Sequence, residues 1–132
     1  MDVTLGPWTA ETSVDEKERK PLTEAMADAA RTKVQNTTGF TPKDAQGMPA
    51  KAGFTISGRL THVLKSSAGV TVKATFTLWV DGTFSNVQPL AGEATASGFG
   101  STTAAEALRA VTESRVKTLL DAIKSGRVMK AK

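Results

Sequence analysis

The 132-residue chain contains no cysteine and no tyrosine, and only one histidine. Without cysteine there is no disulfide scaffold, no thiolate catalysis, no iron–sulfur cluster and no cysteine-ligated zinc. A single histidine, His62, excludes a multi-histidine metal site and any mechanism that needs two imidazoles. Aromatic residues are scarce at 5%. No apolar run approaches the ~20 residues of a membrane-spanning helix. The start, Met1-Asp2-Val3-Thr4-Leu5, lacks the basic segment and long apolar stretch of a signal peptide. The chain is therefore either cytosolic or the exported part of a longer precursor.

What is present is ordinary for a globular protein: 39% hydrophobic and 23% charged residues. The length predicts one domain, 1–132, with enough chain for a core that needs no covalent staple. Seventeen basic and 13 acidic residues give a net charge of +4. The distribution is uneven. Residues 1–50 hold eight acidic and six basic side chains, net −2, and residues 51–132 hold five and eleven, net +6. A mild basic bias favours anionic partners without being a nucleic-acid signature.

Val3, Thr4 and Leu5 read as a short edge strand ended by Gly6-Pro7, with Trp8 as an anchor at the rim of the core. Residues 9–20 read as a polar loop whose mixed charge run, 15–20, leads into a helix. Leu22, Ala25, Met26, Ala29, Ala30 and Val34 follow helical spacing, so a helix is expected over 21–35 with Pro21 in its first turn. Gly39, Pro42, Gly47, Pro49 and Gly53 mark 37–53 as a long loop or arm, pinned by Phe40 and Met48.

Two alternating runs, 54–64 and 70–80, predict a long β-hairpin around Ser66-Ser67-Ala68-Gly69. One face carries Phe54, Ile56, Gly58, Leu60, His62 and Leu64; the other is rich in threonine. A small-residue strand is expected over 92–99. A helix over 103–124 follows, opened by the capping box Thr103-Ala104-Ala105-Glu106 and carrying an apolar stripe of Leu108, Val111, the stem of Arg115, Leu119, Ala122 and Ile123. Residues 126–132 form a basic tail. The order β-α-β-β-β-α predicts an α+β two-layer sandwich: a mainly antiparallel sheet of about four strands with two helices.

No catalytic constellation emerges. Residues 98–103 form a Gly-containing turn at a helix start, but lack both the dinucleotide fingerprint and the P-loop lysine. Without a Gly-x-Ser-x-Gly elbow, His62 reads as a satisfied strand residue and not as the base of a hydrolase. Asp81 and Glu93 are the acids of the sheet region, and nothing in the sequence brings them together. The expectation is a protein that is not an enzyme, with no catalytic, cofactor-binding or metal-ligating residue.

Three segments resemble a known pattern. Gly53-Phe54-Thr55-Ile56-Ser57-Gly58-Arg59-Leu60 is similar to the strand after the first helix in small bacterial envelope assembly domains. Residues 72–82 are similar to their next strand. Gly92-Glu93-Ala94-Thr95-Ala96-Ser97-Gly98, followed by Ala104-Ala105-Glu106-Ala107-Leu108, resembles their closing strand and alanine-rich helix. These families include the curli-secretion lipoprotein, the N-terminal domain of the Tol system's periplasmic β-propeller protein, and lipoprotein activators of penicillin-binding proteins. The likeness covers about residues 53–123. The insertion at 37–53 and the absence of a lipid-bearing cysteine depart from the pattern.

What the resemblance implies is a non-catalytic α+β domain that binds a protein partner in the periplasm or cell envelope, in assembly or regulation of an envelope complex. The contact elements expected for it are the sheet edge at 3–5, the arm with Phe40 and Met48, and the connection around Phe84. The alternative is a cytosolic nucleic-acid-binding module. It would use Trp79, Arg59 and Lys73 on the polar face of the hairpin, since single-strand binding needs an aromatic platform with cations beside it. A small enzyme with a pocket near His62 is the third reading.

Overall fold

A computed structural model describes residues 2–44, 53–80, 83–84, 91–99 and 103–125; of residues 83, 84, 91–94, 96 and 99 it describes the backbone. Expectations that fall elsewhere, including the 126–132 tail, lie outside the described residues. The elements are β1 (Asp2–Ala10), α1 (Glu16–Gln35), β2 (Thr41–Asp44), β3 (Phe54–Ser66), β4 (Gly69–Val80), β5 (Thr83–Phe84), β6 (Ala91–Phe99) and α2 (Ala104–Lys124). The expected α+β architecture is present, with two short strands, β2 and β5, added to the expected four.

β1 lies between β2 and β3 and pairs with both in parallel; β4 pairs antiparallel with β3, β5 and β6. α1 packs on β1 and α2 on β4 and β6, and the helices pack against each other. Both helices therefore cover one face of the sheet. The core between the layers is built on Phe76, Met26, Ile56, Leu60, Leu78, Leu108, Leu119 and Leu120, all fully buried.

The helices follow their sequence signals, and the first exceeds them. Asp15 caps α1 by accepting a hydrogen bond from the Lys17 N–H at 3.0 Å, and Glu16 and Glu18 sit in the first turn against the helix dipole. The charge run expected as a loop is therefore the opening of the helix, and Pro21 lies inside it. Arg19 folds back to donate to the carbonyls of Val14 and Thr12 at 2.9 and 3.0 Å, which ties down the lead-in. The six apolar positions expected on the inner face of α1 are the buried ones. In α2, Thr103 caps as expected, accepting from the Glu106 N–H at 3.2 Å. Its buried stripe is wider than expected and adds Ala104, Ala107, Thr112, Val116 and Leu120. The buried Thr112 hydroxyl donates to the Leu108 carbonyl at 2.7 Å.

Two irregularities set which side chains face the helices. In β1 the partners step from Leu5 to Trp8 while β3 steps from Ile56 to Gly58, so Gly6 and Pro7 together oppose Ser57. Gly6 adopts φ 112°, which a side chain would strain, and the Gly6-Pro7 bond is cis. The strand does not end at the proline, as the sequence implied. The bulge absorbs it, and Trp8 returns to the helix side that strict alternation would have denied it.

The second irregularity is in β3, where Leu60 pairs with Ala74 but His62 with Lys73. Thr61 is the extra residue, and its hydroxyl donates to the Lys73 carbonyl at 3.0 Å. Beyond it the alternation inverts. Val63 packs on the core, while His62 and Leu64 are exposed, the latter at 58%. The expectation that both lie on the apolar face is corrected by this bulge.

Gly58 leaves the space in which the layers meet. A Cβ there would lie 2.7 Å from Met26 Cε and 2.8 and 2.9 Å from two ring carbons of Trp8. Met26 can swing aside, but the indole is fixed by the β1 bulge. Gly58→Ala should therefore cost about 2 kcal/mol of stability in urea unfolding, as overpacking does. On a Trp8→Leu background the penalty should shrink, because the two sites share one space. Equal penalties on both backgrounds would show that the indole is not the constraint.

Candidate functional site

The six candidate contact residues do not form one site. Phe40 is 9% exposed and belongs to the core cluster with Val3, Val34 and Phe54. It pins the chain there, as the sequence reading had it, but from within the core. α1 ends at the Asn36 cap, and a turn closed by the Phe40 N–H bonding to the Thr37 carbonyl at 3.3 Å delivers the ring under the sheet. The chain then continues as β2, whose residues 41–44 pair in parallel with residues 2–5 of β1. That pairing also occupies the edge at 3–5 that the sequence offered as a contact element. Arg31 of α1 pairs with Asp44 at the end of β2. Met48 lies outside the described residues. Phe84 pairs through its backbone with Trp79, and its side chain lies outside them as well.

Arg59, Lys73 and Trp79 do share the sheet face that carries no helix. Their register partners are Thr75, His62 and Thr55. Trp79 lies four residues along β4 from the partner of Arg59, about 13 Å away at strand rise, and Lys73 lies two residues in the other direction. Arg59 and Trp79 border a shallow cleft of about 350 Å³ that also takes in Pro7, Glu11 and Ser57.

Both residues are engaged there. Arg59 Nη2 lies 3.3 Å from Glu11 Oε1, and Trp79 Nε1 donates to Ser57 Oγ at 2.8 Å. Lys73 sits beyond the cleft, beside the exposed His62 and across from Thr95. The arrangement is a polar, hydroxyl-lined platform with its aromatic and its two cations spread along it, not a converged cluster. Among the described residues no three His, Asp or Glu side chains gather as metal ligands, and no helix is long and apolar enough to cross a membrane.

A larger cleft, of about 520 Å³, lies at the other side of the sheet between β1 and α1. Pro7 and Trp8 form its floor, and Glu24, Asp28, Arg31 and Asp44 its walls. The sequence reading left Asp44 in the 37–53 arm, apart from the helix. The signal that places the helix residues together is the spacing 24, 28, 31, which puts three charged side chains on one helical face over Ala27.

No protein-family model and no curated protein matches this sequence. Solved structures do share its fold. A chain of the dodecamer formed by a single-substitution variant of PelC from Paraburkholderia phytofirmans superposes with a TM-score of 0.64 at 11% identity, over 89% of this chain and 87% of that one. The hypothetical protein CT253 from Chlamydia trachomatis gives 0.58 at 6% identity, over 94% and 96%. Protein XCC0632 from Xanthomonas campestris, of family DUF330, gives 0.56 at 12%, over 97% and 88%. At such identities the likeness establishes the architecture.

The reassignment of Phe40 has a direct consequence for mutagenesis. Phe40→Ala should lower stability by about 3 kcal/mol or more, the cost of deleting a core aromatic ring. Urea unfolding checks it. A loss below about 1 kcal/mol would return Phe40 to the surface role first read for it.

Proposed function

We propose that this chain is a non-catalytic protein-interaction domain of the bacterial cell envelope, acting in the assembly or regulation of an envelope complex. The observation that carries the reading is the fold shared with PelC, whose chain assembles as a dodecamer. The same arrangement of two helices on a mixed sheet there builds a multi-chain complex. Two further points support it. Residues 53–123 resemble envelope assembly domains in sequence pattern. The chain also presents two clefts, one on the helix-free sheet face and one between β1 and α1, which share Pro7 in their linings. Periplasmic or envelope-associated location, through an export signal or lipid anchor on a longer precursor, belongs to the same proposal.

Fractionation of the full-length native protein into cytosol, periplasm and membranes, with a salt wash, is the test. The expected outcome is recovery in the envelope fractions, followed by cross-links to a protein of that compartment. Recovery in the cytosol would overturn the reading. Titration with single-stranded RNA and DNA at low salt should be flat. Affinity that falls steeply with salt would favour the nucleic-acid module instead.

A further inference from the structure

A side chain at Gly58 would point to Met26 and Trp8 on the helix side, so its neighbours Ser57 and Arg59 point to the helix-free face. The register sets Ser57 beside Thr77 and Arg59 beside Thr75, with Trp79 at the end of the β4 row. Same-face neighbours stand about 6.6 Å apart along a strand and about 4.8 Å apart across strands. The result is a regular grid of hydroxyls with an indole at one end and the Arg59–Glu11 pair at the other. It lines the cleft of about 350 Å³ described above, a volume within the range of about 300–1,000 Å³ that ligand sites occupy. Arg59 is exposed, and Ser57, Thr75 and Trp79 are half-buried, so the lining itself is open to solvent.

Three properties of this lining define what it can hold. The first is charge. Among the described residues Glu11 and Arg59 are its charged groups, and they cancel, 1 − 1 = 0. An anion would have to compete with Glu11 for Arg59, and Lys73 stands outside the cleft. The second is hydrogen bonding. Each hydroxyl both donates and accepts, and Ser57 Oγ, which accepts from Trp79 Nε1 at 2.8 Å, keeps its own O–H as a donor. The third is the indole, an apolar plane beside these polar groups. β-propensity alone accounts for threonine on an open strand. It does not account for an indole and an ion pair at the two ends of one row.

We propose that this cleft binds a neutral carbohydrate chain. A pyranose ring offers an apolar C–H face to the Trp79 indole and hydroxyls to Ser57, Thr75 and Thr77. Arg59 and Glu11 supply donors and acceptors to a ring further along. The roughly 13 Å from Trp79 to the row of Arg59 exceeds one sugar ring, so the ligand is an oligosaccharide or polysaccharide and not a monosaccharide. Glycoside hydrolysis takes two carboxyl groups. Among the described residues the cleft has one, Glu11, held by Arg59, so the chain binds the sugar without cleaving it. This ligand is additional to the protein partner proposed above and does not rest on that reading.

The test is titration of the isotope-labelled full chain with cellotetraose, maltotetraose and the tetramer of N-acetylglucosamine, followed by NMR at the two indole Nε1–H signals. At least one of the three should shift the Trp79 signal, which the Trp79→Phe variant identifies by its loss. The Trp8 signal should stay in place, because Trp8 lines the other cleft. Trp79→Leu should weaken binding roughly tenfold. Thr75→Val keeps the shape of the side chain and removes one hydroxyl. It should weaken binding roughly fivefold, the effect of one ordinary hydrogen bond, and leave the melting temperature unchanged, which separates binding from folding. Affinity should not depend on NaCl concentration, since the ligand carries no charge.

A Trp79 signal unmoved by all three sugars would overturn the inference. Equal shifts at both indoles, or full affinity in the Thr75→Val chain, would overturn the site. Single-stranded RNA that moves the Trp79 signal, with an affinity falling steeply with salt, would give this face to nucleic acid instead.

Discussion

The seat that Gly58 leaves for Trp8 joins three elements at one point. β1 delivers the indole, β3 supplies the missing side chain, and α1 closes the space with Met26. None of the three could shift alone. The bulge at Gly6-Pro7 makes the seat reachable, because without the extra residue Trp8 would point to the helix-free face and α1 would meet a hole where the indole now packs. The described pairing with β2 runs as far as Leu5, the last residue before the bulge. The contact of strand, strand and helix at Trp8 is thus a consequence of how a proline is fitted into an internal strand.

The parts of the fold that depend on local periodicity were legible. The inner face of α1, the Thr103 cap and most of the stripe of α2, and the hairpin with its turn at residues 66–69 all stand where alternation and capping place them. The parts that depend on pairing partners were not. A bulge is defined by a strand opposite it, so nothing in residues 60–64 shows that Thr61 is the extra one. Continued alternation sends His62 and Leu64 to the wrong face. The start of α1 was missed for a different reason. Pro21 is a strong start signal, but the Asp15 cap with Glu16 and Glu18 behind it stabilises an earlier turn and tolerates the proline five residues in.

Phe40 shows how composition misleads at a functional site. Glycines and prolines around it describe a chain that turns often, and that was read as an exposed arm. A chain that turns often can also return an aromatic ring to the core and then lie down as a strand, and residues 37–44 do both. Of the six contact candidates, the three on the hairpin stand on the expected face, because that face follows from alternation upstream of the Thr61 bulge and along the unbulged β4. Their engagement with Glu11 and Ser57 needed the neighbouring strand and loop, which the sequence does not align.

Sheet order turns an uneven sequence into an uneven surface. β2, β1 and α1 come from the acidic first part of the chain and β4, β6 and α2 from the basic second part, and the fold lays them side by side with β3 between. Among the described residues three ion pairs cross the divide, Glu11 with Arg59, Glu18 with Lys65 and Asp28 with Arg109, and each draws its acid from the first part. Exposed pairs of this kind are worth about 0–1 kcal/mol each, so they tie α1 and its lead-in to the rest more by direction than by strength. Glu24 stands one turn before Asp28 beside the β1 cleft and, among the described residues, takes no part in this exchange.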